Sequence, residues 1–277
     1  MENFKDKVAF VTGAASGIGL GMVEAFLAQG MRVAMADIEA DVLADSAAQL
    51  ATNAVLPLQC DVSDASSVND CAQAAIEHFG QVHIVCNNAG VSSGGLVDEL
   101  DEGDWTWNIG VNYLGVVNGC RAFVPHIKQH GQGGHIVNTA SIAGLVARAP
   151  GWGPYNSTKY AVVAFSEVLR EEGKLGGFGV SVLCPGAVDT NIMQASRNRP
   201  ERFGPMQSKV AYNDISEQLR QGLAPRVVGD LVLEAIVADR CHIFTDPTQL
   251  QLVRERFARI EDDFAWAAQS TTLGERS

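Results

Sequence analysis

The stretch Val8-Ala9-Phe10-Val11-Thr12-Gly13-Ala14-Ala15-Ser16-Gly17-Ile18-Gly19 decides how the rest of the chain is read. Val8 to Thr12 is a short run of apolar and β-branched residues, the pattern of a strand covered on both faces. Three glycines among small residues follow, and then a helical pattern over Leu20 to Gln29. Glycine lets the backbone turn sharply and come close to a pyrophosphate, whose charge rests against free N–H groups at the helix start. Alone, such a loop is often only a tight turn; between a strand and a helix it becomes a specific dinucleotide signal. Gly13, Ser16, Gly17, Ile18 and Gly19 are therefore candidate cofactor-binding residues.

The same rhythm repeats outward from this unit. Strands are predicted at Arg32 to Ala36, Val55 to Gln59, His83 to Cys86, Gly134 to Thr139, Val180 to Cys184 and Cys241 to Phe244, with helical segments such as Ala65 to Phe79 and Tyr155 to Gly173 between them. Repeated βαβ units imply an α/β fold, a Rossmann-type doubly wound parallel sheet of about seven strands. No repeat, low-complexity stretch or Pro/Gly/Ser-rich linker divides the 277 residues, so residues 1–277 are expected to form a single domain. Two segments depart from the rhythm. The polar, charge-rich residues 191–222 follow a strand end and are expected to form a mobile substrate loop. Leu250, Val253, Phe257, Ile260 and Phe264 step by three and four, predicting an amphipathic helix over residues 247–267 that covers the sheet or another helix, with capping of the site or a subunit contact as the alternative.

Composition excludes several function classes. Twenty Lys and Arg against thirty-two Asp and Glu give a net charge of −12. Such a surface repels phosphate backbones and anionic lipid, so neither nucleic acid nor a membrane is expected as a partner. No apolar run approaches the ~18 residues of a membrane span. The opening MENFKDK has no basic flank followed by an apolar stretch, so no secretory signal is read there. The six cysteines are scattered and lie mostly in apolar runs, as reduced core thiols of a cytoplasmic protein would. Six histidines show no HExxH or paired-ligand spacing, so no metal is expected; His130 and His135 flank a glycine turn and are expected to be solvated.

Asp37 stands 18 residues past Gly19, at the end of the second strand. An acid there accepts both adenosine ribose hydroxyls and repels a 2′-phosphate, while Ser16 and Ile38 offer that phosphate no positive charge. NAD is thus expected over NADP, the plainer reading of Asp37 being an N-cap of the next helix. Among the tyrosines Tyr113, Tyr155, Tyr160 and Tyr212, only Tyr155 has a cation at i+4, Lys159. An ammonium beside a phenol favours the phenolate and lowers its pKa from about 10, which suits a general acid–base. On most helices such a pair is a solvated contact; here it follows the fifth strand, near the carboxyl ends where ligands bind. Ser141 places a hydroxyl at that same edge. Asn112 is expected in mid-helix, where Asn is unfavourable unless a buried hydrogen bond or a site role justifies it.

In order and spacing, Thr12-Gly13…Gly17-Ile18-Gly19, Asp61-Val62, Asn87-Asn88-Ala89-Gly90, Asn112, Ser141, Tyr155…Lys159 and Pro185-Gly186…Val188…Thr190 resemble the short-chain dehydrogenase/reductase superfamily, in its short single-domain branch, over residues 5–245. The resemblance implies Tyr155 as the acid–base, Lys159 on the nicotinamide ribose and tuning Tyr155, Ser141 on the substrate oxygen, and Asn112 holding a water in a proton relay to Lys159. It implies Asp61 and Val62 at the adenine, Asn88, Ala89 and Gly90 along the cofactor, and Pro185, Gly186, Val188 and Thr190 at the carboxamide. It also implies a homo-oligomer, dimer or tetramer, formed through the helices carrying Asn112 and Tyr155. Trp107 to Asn112, Gly115 to Gly119 and Ala195 to Pro200 are similar to a bacterial branch that includes aryl-alcohol dehydrogenases of lignin-fragment breakdown.

The expected reaction is NAD-dependent interconversion of a secondary alcohol and a ketone, with a hydrophobic or aromatic substrate. Ser92, Ser93, Leu96, Ala143, Gly144, Trp152, Ile192, Met193 and Phe203 are the candidate substrate residues, while Trp105 and Trp107 are read as helix packing. An NADPH-dependent carbonyl reductase would use the same catalytic residues. A sugar epimerase or dehydratase shares the Tyr–Lys pair but needs a larger carboxyl-terminal substrate domain. A non-catalytic NAD-sensing protein would be free to lose Ser141, Tyr155 or Lys159, and all three are present.

Overall fold

β1 (Val8–Thr12) leads into α1 (Gly17–Ala28), β2 (Arg32–Asp37) into α2 (Ala40–Gln49), and β3 (Val55–Gln59) into α3 (Ala65–Phe79). β4 (Ile84–Asn87) is followed by α4 (Glu102–Asn108), a π-helical turn (Ile109–Leu114) and α5 (Gly115–His130). β5 (Gly134–Thr139) precedes α6 (Gly153–Gly176), and β6 (Phe178–Cys184) precedes α7 (Asn213–Arg220) and α8 (Pro225–Val237). β7 (His242–Phe244) and α9 (Leu250–Ala268) come last. This computed structural model describes residues 3–147, 149–206 and 213–274.

All strand pairs are parallel, in the order β3-β2-β1-β4-β5-β6-β7. This is the doubly wound sheet expected from the sequence. The order reverses between β1 and β4, and the crevice outside the strand ends at that switch point is where such a fold receives a ligand. Strand limits differ from the sequence pattern wherever a neighbour extends the ladder: Asp37 pairs with Gln59, Asn87 with Asn138, and Phe178 with Gly134.

The pleat divides the core into two layers. Val8 and Phe10 of β1 pack with Phe123, Val116 and Val162 on one face, and Ala9 and Val11 pack with Met22, Phe26 and Val232 on the other. Phe10 and Phe123 meet with ring centroids 4.6 Å apart. On the second face α1 and α8 approach backbone to backbone. A Cβ at Gly21 would run into the Pro225 carbonyl, and one at Gly229 into the carbonyl of Gly21. α6, which carries the Tyr–Lys pair, starts with Pro154 in its first turn and ends at Gly177 in the left-handed conformation, φ 76°.

Three expectations are corrected. No residue of α9 is buried: Phe257, Phe264 and Trp266 are exposed and Val253 and Ile260 only half-buried, so among the described residues its apolar stripe is covered only in part. His135 is buried, because it lies on a strand rather than in the turn, and its Nε2 meets Ser181 Oγ at 2.8 Å. His130 is half-buried, its Nε2 bonded to the Val82 carbonyl at 3.0 Å. Within the expected 191–222 loop, 3-10 turns occupy Ile192–Asn198 and Glu201–Phe203; residues 207–212 lie outside the described residues.

Candidate active site

The strand ends at the switch point open onto a cavity of about 540 Å³. Its floor is set by short polar side chains. Thr12 Oγ1 accepts from the N–H groups of Asn88 (2.9 Å) and Ala89 (3.0 Å), and Asn88 Nδ2 donates to the Thr12 carbonyl (3.0 Å). Thr139 Oγ1 donates to Asn88 Oδ1 at 3.2 Å, so the ends of β1, β4 and β5 are laced together. Gly13 and Gly17 have φ of +65° and +53°, and a Cβ at Gly13 would stand 2.9 Å from the Ala89 backbone. Gly19 does not reach the cavity wall; a Cβ there would collide with the Gly13 carbonyl, so it lets the loop fold.

Asp37 Oδ2 accepts from Ala15 N (3.0 Å) and Oδ1 from Glu39 N (3.1 Å), while the side chain also lines the cavity. Asp37 is not the N-cap, which is Glu39; its carboxylate instead holds the turn ahead of α2 and lines the cavity. Burial pushes its pKa up, against the hydrogen bonds that pull it down. Ribose hydroxyls would relieve that desolvation. The residues fit a dinucleotide: a tight loop with glycine at Gly13 and Gly17, the start of α1, and a desolvated acid beyond it.

Ser141, Tyr155 and Lys159 come together at the other end. Ser141 Oγ accepts from Ala143 N at 3.1 Å, and its hydroxyl is close enough to the Tyr155 phenol to pull that group's pKa down. Lys159 Nζ, 2% exposed, lies 5.6 Å from the centre of the Tyr155 ring and donates to the Thr139 carbonyl at 3.0 Å. The expected lowering of the phenol by the ammonium is not what prevails. Burial raises the Tyr155 pKa, opposed by the Ser141 bond, and burial lowers Lys159 to about 8. Desolvation penalises both charged forms before the site is filled.

Asn112 sits in the π-helical turn rather than a regular helix. Its Oδ1 accepts from Val91 N (2.8 Å), and its Nδ2 donates to Val91 O (2.9 Å) and Thr158 Oγ1 (3.2 Å). These buried bonds offset the cost of Asn in that position. Gly90 borders both groups: a Cβ there would stand 3.4 Å from Lys159 Nζ and 3.5 Å from Asn112 Oδ1.

Of the remaining candidates, Ser16, Ile18, Ile38, Asp61, Val62, Asn88, Ala89, Pro185, Gly186, Val188 and Thr190 line the cavity, as do Ala143, Trp152, Ile192 and Met193. Trp152 meets the Tyr155 ring edge-on, centroids 6.0 Å apart. Ser92, Ser93 and Leu96 do not reach the wall. Ser93 is buried behind α4, where its hydroxyl accepts from Asn108 Nδ2, Ser92 is buried beside it, and Leu96 turns half-exposed to solvent. The carboxylate of Asp61 is engaged with Ser63 and Arg202. Sequence reasoning missed Trp107, which is fully buried yet lines the cavity, and Leu219, Gln249 and Leu252 from α7 and the start of α9. The Leu250–Phe264 stripe pointed to the helix, but Leu252 lies off that stripe.

A parallel doubly wound sheet with this cradle and a Ser–Tyr–Lys cluster at its mouth defines a dinucleotide-dependent oxidoreductase. The chain belongs to the short chain dehydrogenase family, whose model matches residues 7–201. It is similar to the C alpha-dehydrogenase of Sphingobium sp. strain SYK-6, 31% identical over 271 residues, covering 96% of this chain and 88% of that protein. Among solved structures, a short chain dehydrogenase/reductase from Burkholderia phymatum in complex with NAD superposes with a TM-score of 0.90 at 39% identity, covering 95% of this chain and 97% of that one. The apo form of LigO from the same Sphingobium strain gives 0.84 at 32% identity, covering 100% and 95%. The resemblance drawn from the motifs, including the narrower likeness, agrees with these relatives. Among the described residues no helix is long and apolar enough to cross a membrane.

Proposed function

We propose that the protein interconverts a hydrophobic or aromatic secondary alcohol and the corresponding ketone with NAD(H). One observation carries this reading: Tyr155, with Ser141 and Lys159 beside it, lines the same cavity as the glycine cradle of Gly13 and Gly17. Asp37 at the end of β2 favours NAD over NADP. The NAD complex of the Burkholderia relative supports the same choice.

When bound, NAD supplies a hydride acceptor at C4 of its nicotinamide. In the oxidation direction Tyr155 takes the proton of the alcohol hydroxyl as the carbinol carbon loses hydride, and Ser141 donates a hydrogen bond to the same oxygen. Reduction runs these transfers backwards, Tyr155 protonating the oxygen that gains charge. Lys159, anchored on the Thr139 carbonyl, keeps a positive charge close to the phenol. Trp152, Ile192 and Met193 give the substrate an apolar wall. The protein works in the cytosol as a homo-oligomer through the helices of Asn112 and Tyr155, where Ile109, Leu114 and Val168 are exposed.

The test follows NADH absorbance with aliphatic, aryl and steroid secondary alcohols, with NADP in parallel. Turnover with NAD is expected, and Tyr155→Phe is expected to reduce it by more than ~10²-fold while NADH still binds. Retained turnover in the variant, or a preference for NADP, overturns the corresponding assignment.

A further inference from the structure

Three arginines, Arg197, Arg199 and Arg202, lie close together in the segment after β6. Each pairs with a carboxylate from a different part of the site. Arg197 grips Glu39, two residues past Asp37, through Nε (3.1 Å) and Nη2 (3.0 Å), and Asn198 Nδ2 joins at 3.0 Å. Arg202 Nη2 meets Asp61 Oδ2 at 2.6 Å and Ser63 Oγ at 2.8 Å, just past β3. Arg199 Nη1 meets Asp104 Oδ1 of α4 at 2.5 Å and its other nitrogens donate to the carbonyls of Phe203 and Gly204. Its guanidinium also lies 5.2 Å from the ring centre of Trp107, a cavity residue.

The three pairs differ in burial. The Arg199–Asp104 side chains are 3% and 0% exposed, against 36% and 19% for Arg197–Glu39 and 51% and 19% for Arg202–Asp61. A buried pair is hardly screened by salt, whereas exposed pairs weaken once the Debye length falls to ~10 Å or less. The segment is thus fixed at Arg199 and loosely fastened on either side of it, and the loose fastenings sit on the loops after β2 and β3. Asp61 has both oxygens engaged, one by Arg202 and one by Ser63, which makes it an anchor for this segment.

We propose that Arg197 and Arg202 are positioning residues that latch residues 192–204 across the adenosine end of the cofactor site, while Arg199 rivets the same segment to α4. This rests on the reading of the cavity as an NAD site. Ile192 and Met193 belong to the same segment, so the latches set both the rate of cofactor release and the placing of the substrate wall. Salt opens the latches and leaves the rivet closed.

The experiment measures NADH binding and release by fluorescence on the full chain, between about 0.02 M and 0.5 M salt. Arg197→Gln and Arg202→Gln are each expected to speed release at low salt by about two- to five-fold, the size of one exposed ion pair. The double variant is expected to lose most of the wild-type salt response, and KM for the alcohol to rise more than kcat falls. Arg197→Lys and Arg202→Lys restore part of each effect, and Glu39→Arg combined with Arg197→Glu recovers what Arg197→Glu alone loses. Thermal melts are expected to stay near wild type, because both arginines are at the surface. Release with the wild-type rate and salt response in the double variant overturns the latch and leaves the NAD reading standing. Absence of NADH binding by the wild type overturns both.

Discussion

The two ends of the cavity are built differently. At the cofactor end, Thr12, Asn88 and Thr139 bond to atoms whose positions the sheet fixes, and glycines remove side chains where the backbone must close in. At the end proposed for the substrate, Ala143, Trp152, Ile192 and Leu252 arrive from separate elements, and long arginine side chains hold the segment that carries Ile192. The first end is determined by main-chain geometry and tolerates little change. The second is determined by side-chain packing, and under the proposed function it is where substrate selectivity would be set.

Asp104→Ala is the strongest way to break this comparison. It leaves Arg199 buried beside Trp107 without its carboxylate, and a loss of about 3–5 kcal/mol in urea unfolding is expected. A loss below about 1 kcal/mol would show that the substrate end does not hang on that pair. Acid acts on the framework below both ends. Burial lowers His83, His126 and His135, the last to about 4 from an ordinary 6.5. The unfolded chain therefore binds protons more readily, so stability is full above about pH 6.5 and is lost as pH falls toward about 4. Denaturation midpoints from pH 7 to 4.5 check this, with His135→Gln expected to flatten the slope; an unchanged slope contradicts it.

Smaller effects separate the two ends directly. Asp37→Ser is expected to weaken NAD about tenfold and narrow the preference over NADP, without altering relative rates among alcohols, in parallel titrations with both cofactors. Leu252→Ala is expected to do the opposite. It changes KM for bulky alcohols by a few-fold and leaves NADH affinity at the wild-type value. A shift in NADH affinity would place Leu252 at the wrong end.

The same division explains what could be read from the sequence. The strand pattern, the glycine loop, Asp37 and the Tyr155–Lys159 pair were legible because each depends on a fixed period or a backbone conformation that few residues allow. Ser92, Ser93 and Leu96 are candidate substrate residues in the sequence, but the chain turns behind α4 before reaching the wall. Leu252 and Trp107 left no signal, since their placement depends on elements far away in sequence. The direction in which the Tyr155 pKa moves depends on something spacing does not carry. Spacing brings Lys159 close, but the burial that opposes both charges is a property of the whole packed site.

The backbone contact between α1 and α8 also has a consequence for synthesis. Gly21 leaves the ribosome long before Gly229, and at ~5–20 residues per second the gap is about 10–40 s. Through that interval Met22, Val23 and Phe26 have no cover from Val228, Val232 and Ile236. The nascent chain thus carries an apolar ridge on α1 that its partner helix cannot cover until synthesis is nearly complete.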